Sequence, residues 1–247
     1  MKFEKEVAVV TGGTTGIGNA TCERLKKEGA IVYNLDINEI KIEGINFINC
    51  DVRNYNDVQI AIQHIYDKEG KIDLLFANAG IHRSGNIEET TIDEFENILS
   101  INLKGMFYVV KAVIPIMKKQ QKGSIVLTGS DQSFIGKGNS SAYGLTKGAI
   151  GQFTKSTAID YAPHNIRINC ICPGTIETPL LTKAVEGFDT LTNLGKDTIY
   201  KILEEAQPIK RIAKPEEIAN VVAFLLSDES SFMTGALIAA DGGYTCQ

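Results

Sequence analysis

The chain has 247 residues, of which 43% are hydrophobic and 22% charged, and its net charge is −5. That balance excludes a disordered chain, and the acidic sign argues against broad nucleic-acid binding, which needs a basic face. A single α/β domain of this size can bury its core without disulfides or metals.

In chain order, short apolar runs alternate with longer helical patterns. The runs expected as strands are 7–10, 31–35, 46–49, 73–77, 124–128, 166–171 and 237–240. Such runs suit strands buried on both faces of a parallel sheet. Among the helices between them, Thr91 and Glu94 have capping-box spacing ahead of Phe95 and Ile98. Residues 141–162 read as a helix rich in small residues. Pro215, Glu216 and Glu217 form a helix first turn, followed by Ile218, Val221, Val222 and Leu225 at helical spacing. Residues 177–208 break the rhythm with a long, mainly helical stretch, expected to be a substrate lid. The alternation predicts one domain over 1–247, a Rossmann-type doubly wound parallel sheet of about seven strands flanked by helices.

No uninterrupted apolar run approaches the roughly 20 residues of a spanning helix, so no membrane partner is expected. Five cysteines, at 22, 50, 170, 172 and 246, form no C-x-x-C pair. Their odd number and the lack of a secretory leader pattern imply a reducing, cytoplasmic setting, with the thiols as buried small apolar groups.

The first strand runs into Thr11-Gly12-Gly13-Thr14-Thr15-Gly16-Ile17-Gly18. Glycines at 12, 16 and 18 permit a tight turn and a close backbone approach to a pyrophosphate, and the following helix offers free N–H groups. No Gly-Lys-Ser/Thr follows, which removes the Walker alternative. Asp36 ends the second strand, where a carboxylate accepts both ribose hydroxyls of NAD and repels a 2′-phosphate. Neither Thr15 nor Ile37 supplies a cation for such a phosphate. Asp51 and Val52 end the third strand, within reach of an adenine, and Asn78-Ala79-Gly80 ends the fourth with small residues beside the cofactor.

Tyr143 and Lys147 share one helix face at a spacing of four. An ammonium beside a phenol favours phenolate, and moving a tyrosine pKa from ~10 to ~7 takes about 4 kcal/mol, which the lysine and a cationic nicotinamide together can supply. Ser130, after the fifth strand, can donate a hydrogen bond to a substrate oxygen. Asn102 lies in an apolar helical pattern, where a buried amide needs partners: a water, a carbonyl or a second helix.

Together these residues resemble the short-chain dehydrogenase/reductase family over essentially the whole chain. The match rests on Thr11 to Gly18, Asn78-Ala79-Gly80, Asn102, Ser130, Tyr143 with Lys147, Pro173-Gly174 and Asp241-Gly242-Gly243, in that order. The resemblance implies Tyr143 as acid/base, Lys147 on the nicotinamide ribose, Ser130 orienting substrate and Asn102 holding a relay water. It also implies Ile176 and Thr178 near the carboxamide and phosphate, and a homotetramer. Ala77 and Gly129 stand where the family often has Asn and Ser, and Asp131 and Gln132 replace small apolar residues.

The expected activity is hydride transfer between NAD and a secondary alcohol/ketone pair. The expected substrate is a small polar hydroxylated molecule: a sugar, polyol or hydroxy acid. Gln132 and Lys137 lie on the loop after Ser130, and Lys183, Lys210 and Arg211 are further cations for a carboxylate. His64, His82 and His164 show no pairing that catalysis needs, and a place in the cleft is the lesser reading for His82. The rivals are an NADPH-linked 3-oxoacyl carrier-protein reductase, opposed by Asp36, and a silent dinucleotide-sensing scaffold, opposed by intact Asn102, Ser130, Tyr143 and Lys147. A methyltransferase on a similar sheet leaves the Tyr143/Lys147 pair unexplained.

Overall fold

The computed structural model describes residues 1–39 and 42–246. Among them, seven strands form one parallel sheet: β1 Val7–Thr11, β2 Ile31–Asp36, β3 Asn46–Asn49, β4 Leu74–Ala77, β5 Gly123–Thr128, β6 Ile166–Pro173 and β7 Leu237–Ala240. Their spatial order is β3-β2-β1-β4-β5-β6-β7. The eight α-helices among the described residues are α1 Gly16–Lys27, α2 Tyr55–Glu69, α3 Ile92–Leu99, α4 Met106–Gln120, α5 Ser141–Tyr161, α6 Pro179–Thr192, α7 Lys196–Ala206 and α8 Pro215–Leu226. The doubly wound sheet expected from the alternation is present, with strand ends within a residue or two of the sequence reading.

The pleat explains why the strands carry unbroken apolar runs. In β1, Val7 and Val9 join a core formed with α2, α4 and α5, whereas Ala8 and Val10 join a core formed with α1 and α8. Successive residues thus serve opposite layers, and Val7 to Val10 are all apolar. The ends are set locally. Thr91 accepts from the Glu94 backbone and Glu94 returns the bond, making the expected capping box at α3. Gly70 ends α2 in the left-handed region.

A six-residue π-helix, Ser100–Gly105, joins α3 to α4. The continuous run Ile92–Gln120 has the length and mean hydropathy, 1.4, of a membrane span, although no uninterrupted apolar stretch announces it. Val109, Val113 and Met117 on α4 are instead buried against the sheet. Cys22, Cys50, Cys170 and Cys172 are buried as expected, but Cys246 is exposed, because the chain's last turn lies on the surface. Residues 177–208 form α6 and α7, joined through Asn193 and Gly195 in the left-handed region. Each of these helices buries a single residue, Val185 or Ile199, so the pair is an annex to the core.

Adjacent β1 and β4 mark the point where the strand order reverses, and in such sheets the carboxyl ends of the strands there open a ligand crevice. The Gly12–Gly18 loop, Asn78 and Ser130 follow β1, β4 and β5 at that edge.

Candidate active site

The glycine loop is built by exclusion. A Cβ on Gly18 would lie 2.0 Å from the Gly12 carbonyl oxygen, and one on Gly12 would lie 2.9 Å from Ala79 Cα. Gly12 and Gly16 are in the left-handed region, at φ 65° and 54°. Asn34, on β2, holds the loop from behind. Its Oδ1 accepts from Gly13 N at 2.9 Å and its Nδ2 donates to Thr14 Oγ1 at 3.1 Å. Thr14 Oγ1 donates onward to the Asn38 carbonyl. Thr15 caps α1 without a side-chain hydrogen bond, and Ile17 packs on the core formed with α1 and α8. A close-approach cradle at an uncapped helix N-terminus fits a pyrophosphate.

Asp36 closes this end. Its carboxylate accepts from Thr14 N at 3.2 Å and Asn38 N at 3.1 Å, and no cation pairs with it among the described residues. Those bonds fix the carboxylate at the tip of β2 beside the loop. Asn78 stitches β4 to β1, its Nδ2 donating to the carbonyls of Thr11 and Gly12. Thr11 Oγ1 accepts from the backbones of Asn78 and Ala79, and a Cβ on Gly80 would lie 3.3 Å from Asn102 Oδ1. Thr178 caps α6, and its Cγ2 lies 3.0 Å from where a Gly16 Cβ would stand. Ile176 is buried and bridges to Ala213. Asp51 is held by Arg53, which forks onto its carboxylate at 2.6 to 3.0 Å and pulls its pKa below the usual range. Val52 is buried against Gly105.

The second cluster stands at the end of β5. Gly129 replaces the family's serine because a Cβ there would lie 2.7 Å from Cys170 Sγ and 2.9 Å from Cys172 Sγ. Ser130 then caps the short turn Asp131–Ser133, accepting from Gln132 N, and its Oγ donates to Asp131 Oδ1 at 2.8 Å. Tyr143 and Lys147 share the buried face of α5, at 9% and 4% exposure. Lys147 Nζ donates to the Thr128 carbonyl at 2.7 Å and lies 5.5 Å from the centre of the Tyr143 ring.

Burial controls the acidities. It raises the Tyr143 phenol well above its ordinary value, with Ser130 opposing the shift and Asp131 adding to it. It lowers Lys147 to about 8, against the pull of the two cysteines. The chain's own groups therefore keep the phenol protonated. Desolvation outweighs the other influences of the chain's own groups on the phenol, whereas the expected shift towards ~7 combines Lys147 with a cationic nicotinamide.

Asn102 sits in the π-helix, a distortion often found at functional sites. Its Oδ1 accepts from Ile81 N at 2.8 Å, and its Nδ2 donates to Ile81 O and Thr146 Oγ1. Thr146 Oγ1 donates in turn to the Tyr143 carbonyl. The amide thus ties the loop after β4 to the helix that carries Tyr143.

His82 is the main residue that sequence reasoning underweights. Its ring meets Tyr143 edge-on, centroids 4.7 Å apart, and its buried Nδ1 has no hydrogen-bond partner among the described residues. Burial, with Lys137 and Lys147, lowers its pKa to about 4. Nothing in the residues around position 82 signals the contact. Asn34 carries a signal, a polar residue inside an apolar strand. Three of the four cations expected for a substrate carboxylate are engaged within the chain. Lys137 pairs with buried Asp131 at 2.6 Å, Arg211 forks onto Glu217, and Lys210 donates to the Glu205 carbonyl. Lys183 is exposed on α6. His64 is exposed on α2, and His164 lies beside Gln121.

A family model described as enoyl-(acyl carrier protein) reductase matches residues 12–245. The chain belongs to the short-chain dehydrogenase/reductase family. Among curated relatives, an uncharacterised oxidoreductase of Bacillus subtilis, YxbG, is 38% identical over 98% of this chain and 92% of its own. Cyclopentanol dehydrogenase of Comamonas is 36% identical over 99% of this chain and 98% of its own. The solved structure of ligand-free aldohexose dehydrogenase from Thermoplasma acidophilum has a TM-score of 0.93 at 39% identity, covering 99% of this chain and 96% of that one. The protein is an oxidoreductase of a short-chain dehydrogenase/reductase type, a family that uses nicotinamide dinucleotides and carries out general alcohol/ketone oxidoreduction.

Proposed function

We propose that the chain transfers hydride between NAD and a secondary alcohol/ketone pair, with a small polar hydroxylated substrate. The observation that carries this reading is the convergence of Ser130, Tyr143 and Lys147 at the same sheet edge as the glycine cradle and Asp36. Asp36 supports NAD over NADP, since a 2′-phosphate beside a carboxylate that has no paired cation among the described residues is unfavourable. The same residue opposes an NADPH-linked carrier-protein reductase.

NAD supplies the hydride acceptor when bound. Gly12, Thr14, Thr15, Gly16, Ile17 and Gly18 hold the pyrophosphate end, Asp36 the ribose, and Val52 and Asp51 border the adenine. Asn78, Ala79, Gly80, Ile176 and Thr178 line the way to the nicotinamide, and Lys147 holds its ribose. Tyr143 Oη exchanges a proton with the substrate oxygen. Ser130 Oγ donates to that oxygen after turning its hydrogen from Asp131. Asn102 is a positioning residue that sets the Tyr143 helix against the loop after β4. In its protonated form Tyr143 has the proton that a substrate carbonyl oxygen takes up on reduction.

Residues 177–208, as α6 and α7, serve as the substrate lid, in keeping with their thin attachment to the core. The assembly is a homotetramer. The edge strand β7 and Phe224 on α8, 38% exposed, offer surface to a symmetric partner. Neither nucleic acid nor membrane takes part, and a cytoplasmic location is in keeping with the free thiols at 22, 50, 170, 172 and 246. The experiment is an absorbance screen of polyols, sugars, hydroxy acids and simple alcohols with NAD and NADP, with light scattering on the same sample. Turnover with NAD and a tetramer are expected. No turnover with either cofactor, a preference for NADP, or a monomer at micromolar concentration contradicts the corresponding part.

A further inference from the structure

Buried polar atoms without partners are few here, and they are not spread evenly. Of the five such side-chain atoms among the described residues, three surround the start of α5: His82 Nδ1, Gln132 Oε1 and Ser140 Oγ. His82 lies against the Tyr143 ring. Gln132 Oε1 lies 3.0 Å from where a Cβ on Gly144 would stand, so a glycine beside Tyr143 leaves it room. Ser140 precedes the helix and makes no cap bond. Folded proteins pair almost all buried polar groups, so a cluster of unpaired ones beside a reactive hydroxyl marks where a polar ligand completes them.

We infer that His82 Nδ1 and Gln132 Oε1 form a second polar subsite that selects substrates bearing a free hydroxyl next to the reacting carbinol, as in a sugar or polyol. This rests on the hydride-transfer reading and narrows its substrate class. The chemistry of the two atoms sets the class. An amide oxygen only accepts, so its partner must donate an O–H. A neutral imidazole nitrogen either accepts or donates, according to tautomer, and a hydroxyl can answer it in both forms. A carboxylate at neutral pH has no hydrogen for Gln132 Oε1. Lys137, on the loop that carries Gln132, is already held by Asp131 at 2.6 Å. Hydroxy acids are thereby disfavoured, and a simple alcohol leaves both atoms unpaired. The low pKa of His82, about 4, keeps the ring neutral through the physiological range, so it reads hydroxyls and not charge.

The test compares matched substrates: butan-2-ol with butane-2,3-diol, cyclohexanol with cyclohexane-1,2-diol, and 3-hydroxybutanoate as the hydroxy acid. The wild type should favour each diol over its mono-alcohol by about tenfold or more in kcat/KM, because a site built to bond a hydroxyl rejects the analogue lacking it. His82→Phe keeps the packing on Tyr143 and removes the nitrogen, and Gln132→Met keeps the length and removes the oxygen. Each should collapse the diol preference toward one, and His82→Asn should restore part of it. Thermal midpoints and NADH fluorescence binding establish that each variant is folded, and if His82→Phe is not, Gln132→Met decides. Equal wild-type rates on diol and mono-alcohol, an unchanged ratio in the folded variants, or a preference for the hydroxy acid overturns the subsite while hydride transfer stands. No turnover of any alcohol with NAD or NADP overturns both.

Discussion

His82 and Tyr143 meet edge to face, their ring planes crossing at 61°. The imidazole stands on the loop after β4 and the phenol on α5, and Asn102 fixes that spacing by bonding Ile81 on one side and Thr146 on the other. The imidazole and the phenol are therefore held together by a tie between the loop after β4 and α5.

Tyr143→Phe should lose about 10²–10⁴-fold in turnover while NAD still binds, because the ring packs and only the hydroxyl carries the proton. Lys147→Met should lose both turnover and NAD affinity, since the ammonium is expected on the ribose. Single-turnover absorbance and calorimetry on the two proteins read these separately. Near wild-type turnover for Tyr143→Phe would refute the assignment.

Removing the charge of Asp36 tests the cofactor reading. In Asp36→Ser the ratio of NAD to NADP affinity should fall by about tenfold or more, as repulsion of the 2′-phosphate disappears. Titration of both reduced cofactors by fluorescence gives the ratio, and an unchanged value removes Asp36 from the ribose site.

The glycine cradle predicts a steric result. The Cβ of Gly18→Ala would stand 2.0 Å from the Gly12 carbonyl, closer than any rearrangement of the side chain can relieve. The loop must shift, and NAD affinity should fall at least ~10-fold, about 1.4 kcal/mol. Wild-type affinity in a folded Gly18→Ala protein contradicts the packing described.

Asn102→Ala leaves the backbone N–H and C=O of Ile81 without the amide and removes the bond that Thr146 Oγ1 accepts. The cost should be about 1–3 kcal/mol, seen as a drop of a few degrees in thermal midpoint. Turnover should fall further than stability explains, since Tyr143 loses its support. An unchanged midpoint means that the ties carry no energy.

Acid sensitivity should trace to His82. Burial lowers its folded pKa from 6.5 to about 4, so the unfolded chain takes up a proton first as pH falls. The contribution is complete above pH 6.5, shrinks as pH drops and is lost through pH 4. With about 1.4 kcal/mol for each tenfold difference in proton affinity between the folded and unfolded chain, it amounts to roughly 3 kcal/mol. Urea melts at pH 7 and pH 5 should show a smaller loss in His82→Phe than in the wild type. Equal losses place the acid sensitivity elsewhere.

Spacing along the chain is enough to read the alternation of strands and helices, the Gly12–Gly18 loop, the end of β2 at Asp36 and the pairing of Tyr143 with Lys147 on one helix face. Each lies within one segment, where the periods of strand and helix fix which side chains share a face. A contact between distant segments is needed for Asn34 to brace the glycine loop from β2, and the local fold of a loop for Asp131 to take Lys137. The same holds for the fork of Arg53 on Asp51, two neighbours in sequence whose side chains the turn after β3 aims at each other. Packing also sets the acidities of Tyr143, Lys147 and His82. Those depend on how far water is excluded and on which segments are brought together. The loop after β4 reaches α5 only because β4 and β5 lie side by side in the sheet. No local pattern encodes that encounter, and burial there reverses the direction in which a lysine beside a phenol would move the tyrosine.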